Sequence, residues 1–482
     1  YQKVLHLRPR PIGLVQLPPE VLDEIMKLLD WQDILRLRQT CKLLSDATRT
    51  KSIWINLFNA SNSCHPCSPL RLEHPMELYT AHELEYLVLR RSSAEILRKS
   101  QTKLLPRLTR HFPIGPSDVG ALTLIHGGRW LLTASETGSV SYFDLDAREL
   151  TKRPLIPNQL EYFPDSKHGV SMTLDNSDEC GLFSFNLAMF VGRTASSSPG
   201  VEIFQIWHIR LNPDQSNGMS LSATLLSAFH REQYGKLASF SLLGKFIALG
   251  VSLWGQSNAH SYITIVDWAV ADVHNQLHPG SLSYPRMITH FPMIPYDVQL
   301  LPGDRIVVLA EATIRIYHTK SFEVTTNSPP IAFHGWTEYA SPTTWHFDDA
   351  LCGNSLSRPY VCHNTNTLRL VFKSPQTIHG LIIPANPIGA KPQVVTLMEL
   401  DMHFNRMFCL GYNGGIMHSR SPCFRMLDYS WPDDVSVGCS NSLSVEFDGD
   451  RFLQFISAFD EASGRVVVCN QRELIAFDFS SI

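Results

Sequence analysis

One group of residues carries cysteine and histidine side chains that could bind a metal ion. The tetrapeptide Cys64–Cys67 reads Cys-His-Pro-Cys, with His74 and His82 as further possible ligands. A structural zinc site needs four ligands, commonly from two closely spaced pairs. Here no second Cys-x-x-Cys follows, and the histidine spacing fits no standard zinc finger. We therefore interpret Ala60 to Pro75, which is rich in Ser, Asn, Pro and His, as a reduced surface loop.

Other short motifs are poor candidates for catalysis. Gly411–Gly415 lacks the spacing of a phosphate-binding loop and predicts a tight turn between strands. Gly250–Gly255 is one residue too long for a nucleophile elbow. The acidic pairs Asp348-Asp349 and Asp433-Asp434 are typical of solvated turns. The sequence therefore predicts no catalytic, metal or cofactor site, and we expect that this chain is not an enzyme.

Composition restricts the class of protein. The 482 residues are 44% hydrophobic and 18% charged, as in folded globular proteins, and they are too many for one core. A net charge of -4 provides no basic field for nucleic acid. Ten irregularly spaced cysteines favour a reducing compartment with buried thiols. The apolar run Lys236–Gly255 is divided by glycines and Lys245, which favours short strands over a membrane span. We expect an intracellular protein, cytoplasmic and/or nuclear, that is not in a membrane.

The elements that would position functional residues begin with helices. Pro18 and Pro19 suit a helix start, and Asp30 or Asp33 could cap a second helix. Apolar residues at helical spacing predict three short helices before residue 60. Three such helices cannot bury all their apolar side chains among themselves, so these face either a partner or the rest of the chain. The three stripes are Val21, Leu22, Ile25, Leu28 and Leu29; Ile34, Leu35, Leu37, Cys41 and Leu44; and Trp54 with Leu57.

Residues 14–60 resemble the F-box, a helical domain of about this length. The resemblance rests on the opening Leu17–Glu20 (Leu-Pro-Pro-Glu), the turn Leu29–Ile34 (Leu-Asp-Trp-Gln-Asp-Ile), and the ending Trp54–Leu57 (Trp-Ile-Asn-Leu). One departure is Thr40-Cys41, where the family often has Val and a small residue.

The resemblance implies a partner and a set of contact residues. F-box helices bind a Skp-type adaptor, which links them to a cullin and its RING partner in a ubiquitin ligase. The physical mode is apolar helix faces that meet a groove. The resemblance assigns the domain's own core to Trp54 and Leu57. It assigns adaptor contact to Leu17, Pro18, Leu22, Ile25, Leu28, Leu29, Leu35 and Leu37.

Residues 61–105 are predicted to join this domain to the next one. Helical spacing returns from Met76 to Leu105 and predicts a pair of helices. A rigid connection would hold a captured substrate at a fixed distance from the ubiquitin-charged enzyme.

Beyond Pro106 the pattern becomes that of short strands. Apolar runs of four to seven residues alternate with Gly, Asn, Asp and Pro. Seven strand ends, at positions 143, 207, 266, 317, 372, 424 and 477, recur at a roughly even spacing. This series resembles a degenerate WD-repeat β-propeller, in which each such position ends the third strand of a blade. We predict seven blades, with six or eight blades and a double β-sandwich as alternatives.

Together these inferences predict a multidomain α + all-β protein. It has a three-helix F-box domain at 14–60, a loop and helical linker at 61–105, and a β-propeller at 106–482. The predicted function is substrate recognition in a Skp–cullin–F-box ubiquitin ligase, with the adaptor on the F-box and an unidentified protein substrate on the propeller. Two alternatives stay open: a scaffold held by the adaptor outside ubiquitination, and a propeller enzyme or sugar-binding module. The residues that contact the substrate are unknown.

Overall fold

The structure, a computed structural model, combines an N-terminal group of helices with a β-propeller. It describes residues 13–65, 67–100, 105–115, 119–158, 168–175, 184–193, 202–213, 219–231, 235–252, 261–277, 282–327, 342–347, 351, 356–386, 391–400, 408–418, 423–433, 441–446, 456–469 and 473–480.

Four short α-helices form the N-terminal unit, which we call the helical unit. They are α1 (Pro19–Met26), α2 (Trp31–Arg38), α3 (Lys42–Ala47) and α4 (Lys51–Cys64). Pro19 begins α1, and the side chain of Asp30 caps α2 by accepting from the backbone N–H of Asp33 at 2.8 Å. The predicted second helix is broken into α2 and α3, because Cys41 has an extended backbone between them.

The linker contains one α-helix rather than the predicted pair. A 3-10 turn at Met76–Leu78 precedes α5 (Ala81–Lys99). Thr80 and Glu83 form a capping box at the start of α5, since each side chain binds the other's backbone N–H. The helical spacing before Thr80 therefore corresponds to a 3-10 turn and not to a second α-helix, and the prediction of two helices was wrong.

The described strands form seven sheets, each of four or five antiparallel strands. They are the blades of a seven-bladed propeller, so the predicted fold class and blade count are confirmed. The outermost strand of the last blade is β1 (Leu108–Pro113), which comes from the start of the domain. Blade 1 has β2 (Ala121–Leu124), β3 (Trp130–Ala134), β4 (Val140–Asp144) and β5 (Arg153–Ile156). Blade 2 has β6 (His168–Leu174), β7 (Ser184–Arg193), β8 (Glu202–Pro213) and β9 (Met219–Arg231). Blade 3 has β10 (Lys236–Leu243), β11 (Phe246–Ser252), β12 (Ser261–Asp267) and β13 (Arg286–Phe291), with α6 (Trp268–Leu277) between its last two strands.

The remaining strands complete blades 4 to 7. Blade 4 has β14 (Pro295–Leu301), β15 (Arg305–Ala310), β16 (Thr313–His318) and β18 (Thr343–His346), while β17 (Glu323–Thr325) pairs with β13 as a fifth strand of blade 3. Blade 5 has β19 (Tyr360–Cys362), β20 (Thr367–Lys373), β21 (Thr377–Pro384) and β22 (Gln393–Glu399). Blade 6 has β23 (Phe408–Leu410), β24 (Gly414–His418), β25 (Cys423–Asp428) and β26 (Asn441–Glu446). Blade 7 has β27 (Ile456–Asp460), β28 (Arg465–Cys469) and β29 (Glu473–Asp478), and β1 is its fourth strand.

The ring is closed by strand pairing between the two ends of the domain. Strand β1 pairs antiparallel with β29, from Leu108 opposite Asp478 to Pro113 opposite Glu473. The first strand of the domain therefore completes the last blade and holds the two ends of the ring together.

Six of the seven predicted strand ends lie in the third strand of a blade, and one does not. Phe372 lies in β20, the second strand of blade 5, so that assignment was wrong by one strand. The third strand, β21, contains Gly380 and ends at Pro384, residues that weaken a strand pattern in sequence. Gly380 is required by packing, because a Cβ there would lie 2.4 Å from the ring of Trp431 in blade 6.

The apolar run that raised the question of a membrane span forms two paired strands. Lys236–Leu243 and Phe246–Ser252 are β10 and β11, and Gly244 has a φ of 54° in the turn between them. Residues 253–255 lie outside the described residues. Within the part of the chain that the structure describes, no helix has both the length and the apolar character needed to cross a membrane.

Candidate partner-binding surface and its joint to the propeller

The helical unit has a small core of its own. Trp54 is fully buried at its centre, and its indole N–H donates to the backbone oxygen of Thr48 at 2.9 Å. Leu57 lies in the same core and is 8% exposed. Leu22, Ile34 and Leu44 pack in this cluster, which therefore joins α1 to α4.

The eight residues assigned to partner contact lie in three different environments. Leu28 is 86% exposed, and Pro18 is also exposed. Leu22 is only 2% exposed, so its side chain points into the core of the helical unit and not towards the surface. The other five are half-buried: Leu17, Ile25, Leu29, Leu35 and Leu37.

Exposed large apolar side chains are concentrated in residues 14–43, and all of them except Leu28 lie outside the eight residues assigned to partner contact. Among the described residues, sixteen large apolar side chains are exposed, and five of them lie between residues 14 and 43. Such a concentration is typical of a protein interaction site. Helical spacing placed Val21 and Leu28 in the first stripe but did not select Leu14, Val15 or Leu43, because an apolar stripe marks mainly the buried face of a helix. The five are Leu14, Val15, Val21, Leu28 and Leu43.

Helix α5 is attached to the helical unit by both apolar and ionic contacts. Leu84 and Val88 are buried in the core that contains Trp54. Glu85 accepts two hydrogen bonds from the guanidinium of Arg38, at 2.5 and 3.1 Å. A two-point pair of this kind fixes orientation as well as distance, so α5 and the helical unit form one body.

The same helix is attached to the propeller through three largely buried arginines, Arg90, Arg91 and Arg98. Arg98 lies 3.3 Å from the carboxylate of Glu461 and 3.9 Å from Asp428. Arg90 lies 3.4 Å from Asp146, in the connection between β4 and β5. These acidic residues belong to blades 7, 6 and 1, so α5 spans three blades.

Backbone shape also contributes to this joint. Gly464, in the turn between β27 and β28, has a φ of 64°, which favours glycine. A Cβ at this position would lie 2.6 Å from the Cβ of Ala94 on α5. The helix and the turn can therefore lie this close together only because residue 464 has no side chain.

The linker before α5 makes a second set of contacts with blade 1. The carboxylate of Glu73 lies 2.7 Å from the guanidinium of Arg129 and accepts from the indole N–H of Trp130 at 2.7 Å. Burial raises the pKa of Glu73, while Arg129 acts in the opposite direction. Arg129 also pairs with Asp144 at 2.9 Å, which extends the network into β4.

A disulfide joins the linker to blade 5. Cys67 is bonded to Cys362, and the two residues are 295 positions apart in sequence. The expectation of reduced thiols and of an exposed loop was wrong here, because both cysteines are buried. The sulfur of Cys67 is therefore not free to bind zinc as a thiolate. Cys41, Cys64, Cys409 and Cys469 are not part of a disulfide.

Replacing Cys67 with serine tests the contribution of this disulfide. We expect the free energy of unfolding to fall by about 2–4 kcal/mol, because the long loop that the disulfide closes regains its freedom in the unfolded chain. Urea denaturation of the non-reduced protein measures this loss, with Cys64→Ser as the matched control at an exposed free cysteine. An unchanged midpoint in Cys67→Ser would contradict the prediction.

The other motifs selected from the sequence have structural roles or lie outside the described residues. Gly411–Gly415 forms the turn between β23 and β24, as predicted, and the carboxylate of Glu461 accepts from the backbone N–H groups of Tyr412 and Asn413. Asp433 pairs with the buried Arg369 of blade 5. Asp348, Asp349 and Asp434 are outside the described residues. No cluster of potential metal ligands occurs within the described ranges.

The joint defines the two faces of the propeller. The first-to-second strand turns of blades 1 and 7, the third-to-fourth connection of blade 1 and the end of the third strand of blade 6 contact α5 or the linker, so we call their side the linker face. Strand direction alternates in an antiparallel blade, so the other loops lie on the opposite face. The helical unit is thus held at one end of the propeller axis, and the opposite face is left without it.

Comparison with known proteins agrees with this architecture. Residues 14–60 match the domain family described as F-box-like. No curated protein matches the chain. An F-box-like domain is therefore followed by a seven-bladed β-propeller in this chain, as the sequence resemblance predicted.

Proposed function

We propose that this chain, an F-box-like domain joined to a seven-bladed β-propeller, is the substrate-recognition subunit of a Skp–cullin–F-box ubiquitin ligase. The observation that carries the proposal is the F-box-like match at residues 14–60 on a helical unit that exposes five large apolar side chains. F-box domains generally bind Skp-type adaptors. The adaptor would connect this chain to the cullin, and the propeller would bind the protein substrate.

The adaptor-binding surface is proposed to centre on Leu28 and Pro18. Both side chains are exposed, and Val21 and Leu43 extend the apolar surface. Interfaces of this type depend on a few apolar anchors that fill pockets in the partner. The half-buried Leu17, Ile25, Leu29, Leu35 and Leu37 would support the anchors, and Leu22 would act through the domain core.

The contribution of this chain to ubiquitin transfer is proposed to be positional and not catalytic. Capture of a substrate on the propeller makes its encounter with the charged enzyme intramolecular, which raises the effective concentration of the substrate lysine. This advantage depends on geometry. The buried arginines of α5, the Glu73 network and the disulfide restrict motion between the F-box-like domain and the propeller, and so support such a role.

Substrate is proposed to bind the face opposite the linker face. Helix α5 and the linker cover part of the linker face at blades 1, 6 and 7, which leaves the opposite loops for a partner. Loops on one end of a rigid scaffold are where propellers and related folds place their binding residues.

The cell interior, in the cytoplasm and/or nucleus, is the proposed location, because the adaptor and cullin act there. A reducing compartment disfavours exposed disulfides. Cys67 and Cys362 are 7% and 1% exposed, and burial protects a disulfide from attack by thiols. The disulfide is therefore compatible with this proposal.

The proposed function is tested by capture of partners with the full chain. We expect the wild type to retain both a Skp-type adaptor and a cullin, and Leu28→Asp to weaken adaptor retention at least about tenfold, because a charge replaces an apolar anchor. Leu78→Asp is the matched control, since Leu78 is 70% exposed but lies outside residues 14–60.

Each outcome of this capture experiment has a clear meaning. Adaptor and cullin retained by the wild type and by Leu78→Asp, but not by Leu28→Asp, support the proposal. Retention of the adaptor without the cullin favours a scaffold that acts outside ubiquitination. Failure of the folded wild type to retain the adaptor contradicts the proposal.

A further inference from the structure

A cavity lies at the joint between the linker and the propeller. Its volume is about 210 Å³, and its walls come from the linker, the inner strands of blades 1, 5, 6 and 7, and the turns that follow them. It occupies the linker-face end of the propeller axis, where the linker covers the inner strands. Titratable groups in its walls include Arg71, His126, Arg358, Tyr360, Asp460 and Glu461.

Arg358 brings a positive charge to this cavity without an acidic partner. Its guanidinium lies over the ring of Tyr360, with 4.7 Å to the ring centre, and one of its N–H groups contacts the Nε2 atom of His126. Among the described residues, no carboxylate lies within ion-pair distance of it. An arginine side chain stays protonated in proteins. The cavity therefore contains a cation that no carboxylate in the described ranges neutralises by direct pairing.

Two positive charges of the cavity wall, Arg358 and Arg71, act on His126. Burial, followed by the charges of Arg358 and Arg71, holds the pKa of His126 well below its usual value. The imidazole is therefore neutral, and its Nε2 atom can accept from Arg358. Arg71 belongs to the linker, His126 to the turn after β2, and Arg358 to the segment before β19, so three separate segments converge here.

Two acidic residues in the cavity wall are committed to backbone turns. Asp460 accepts from the backbone N–H groups of Gly127 at 3.1 Å and Ser463 at 2.8 Å. Glu461 accepts from the backbone of Tyr412 and Asn413 at 2.8 and 2.9 Å, and it also faces Arg98. Their carboxylates reduce the positive potential but make no pair with Arg358.

We propose that this cavity binds a small oxyanion of the phosphate class, either inorganic phosphate or a small phosphate monoester. The planar guanidinium of Arg358 can donate two parallel hydrogen bonds to such a group. Arg71 would contact the anion from the linker side. The bound anion would thus connect the linker to blade 5, beside the disulfide, and stabilise the joint. This proposal is independent of any ubiquitin-ligase partner.

The test is calorimetric titration of the full chain with inorganic phosphate, with ionic strength held constant by chloride. We expect saturable binding by the wild type and at least about tenfold weaker binding by Arg358→Gln, because a charged donor is lost. Arg210→Gln is the matched control, since Arg210 is exposed on β8. A parallel titration with glycerol phosphate distinguishes free phosphate from a monoester as the preferred ligand.

Two results would overturn the proposal. One is the absence of saturable phosphate binding by the folded wild type. The other is equal binding by the wild type and by Arg358→Gln. If thermal melting shows that Arg358→Gln does not fold, then Arg71→Gln replaces it, because Arg71 lies in the linker outside every described strand and helix. Unchanged binding in Arg71→Gln would then reject the site.

Discussion

Replacement of Trp54 with alanine is expected to destabilise the F-box-like domain by about 3–5 kcal/mol. Trp54 is fully buried and is the largest side chain in the core shared by α1 to α4 and α5. Its removal leaves a cavity, and the backbone oxygen of Thr48 loses the hydrogen bond of 2.9 Å that it accepts from the indole N–H. Hydrogen exchange of residues 19–64 in the full chain, measured against urea, reports the loss.

Trp54→Phe provides the control for this prediction. Phenylalanine keeps most of the apolar volume but not the N–H group, so we expect a smaller loss of stability than in Trp54→Ala. The propeller should keep its own protection in both variants, since Trp54 packs only in the N-terminal cluster. Wild-type protection of residues 19–64 in Trp54→Ala would show that Trp54 does not hold this domain together.

Replacement of Arg465 with alanine is expected to lower the free energy of unfolding of the propeller by about 3–5 kcal/mol. Arg465 is 2% exposed and donates to the backbone oxygen of Gly128 at 2.6 Å, to Asp146 at 2.9 Å and to Asp478 at 2.5 Å. It therefore joins blade 7 to blade 1, next to the strand closure. Without it, the buried carboxylate of Asp478 and the partly exposed carboxylate of Asp146 lose their shared cation. Urea denaturation of the full chain measures the change.

Two further variants separate the charge effect from a general effect of losing arginine. Arg36→Ala removes an ion pair with Asp33 in which both side chains are well exposed, and we expect a loss below about 1 kcal/mol. Arg465→Met combined with Asp146→Asn and Asp478→Asn removes all three charges, and we expect it to be more stable than Arg465→Ala. Equal stability of Arg465→Ala and the wild type would contradict the assigned role.

The sequence was sufficient for most elements of the two domains because their signals are local. Asp30 was predicted as a possible helix cap, and the structure confirms it, since capping involves residues only three positions apart. Six of the seven predicted third strands are correct because period-two alternation is read within a few residues. Blade 5 is the exception. There Gly380 accommodates Trp431, and that packing is invisible along the chain.

Side-chain environment within the helical unit was harder to predict. Leu22 and Leu28 both belong to the same apolar stripe, yet one is 2% exposed and the other 86%. Periodicity shows that a helix has an apolar face, but it does not show which part of that face the neighbouring helices cover. The exposed Leu43, next to the buried Leu44, could not be selected for the same reason.

By itself the sequence determined the order of the domains, the F-box-like character of residues 14–60 and the repeated strands of a propeller with seven blades as the preferred number, because each depends on local patterns. Only the tertiary structure decided how the two domains are joined. Arg98 with Glu461 and Cys67 with Cys362 are pairs separated by about 300 residues or more, and no local pattern distinguishes a buried arginine from a solvated one. These partners are adjacent in the folded chain, in which β1 pairs with β29 and closes the ring. The joint is therefore a property of the folded chain, since it is made of contacts between residues that have no local relation in sequence.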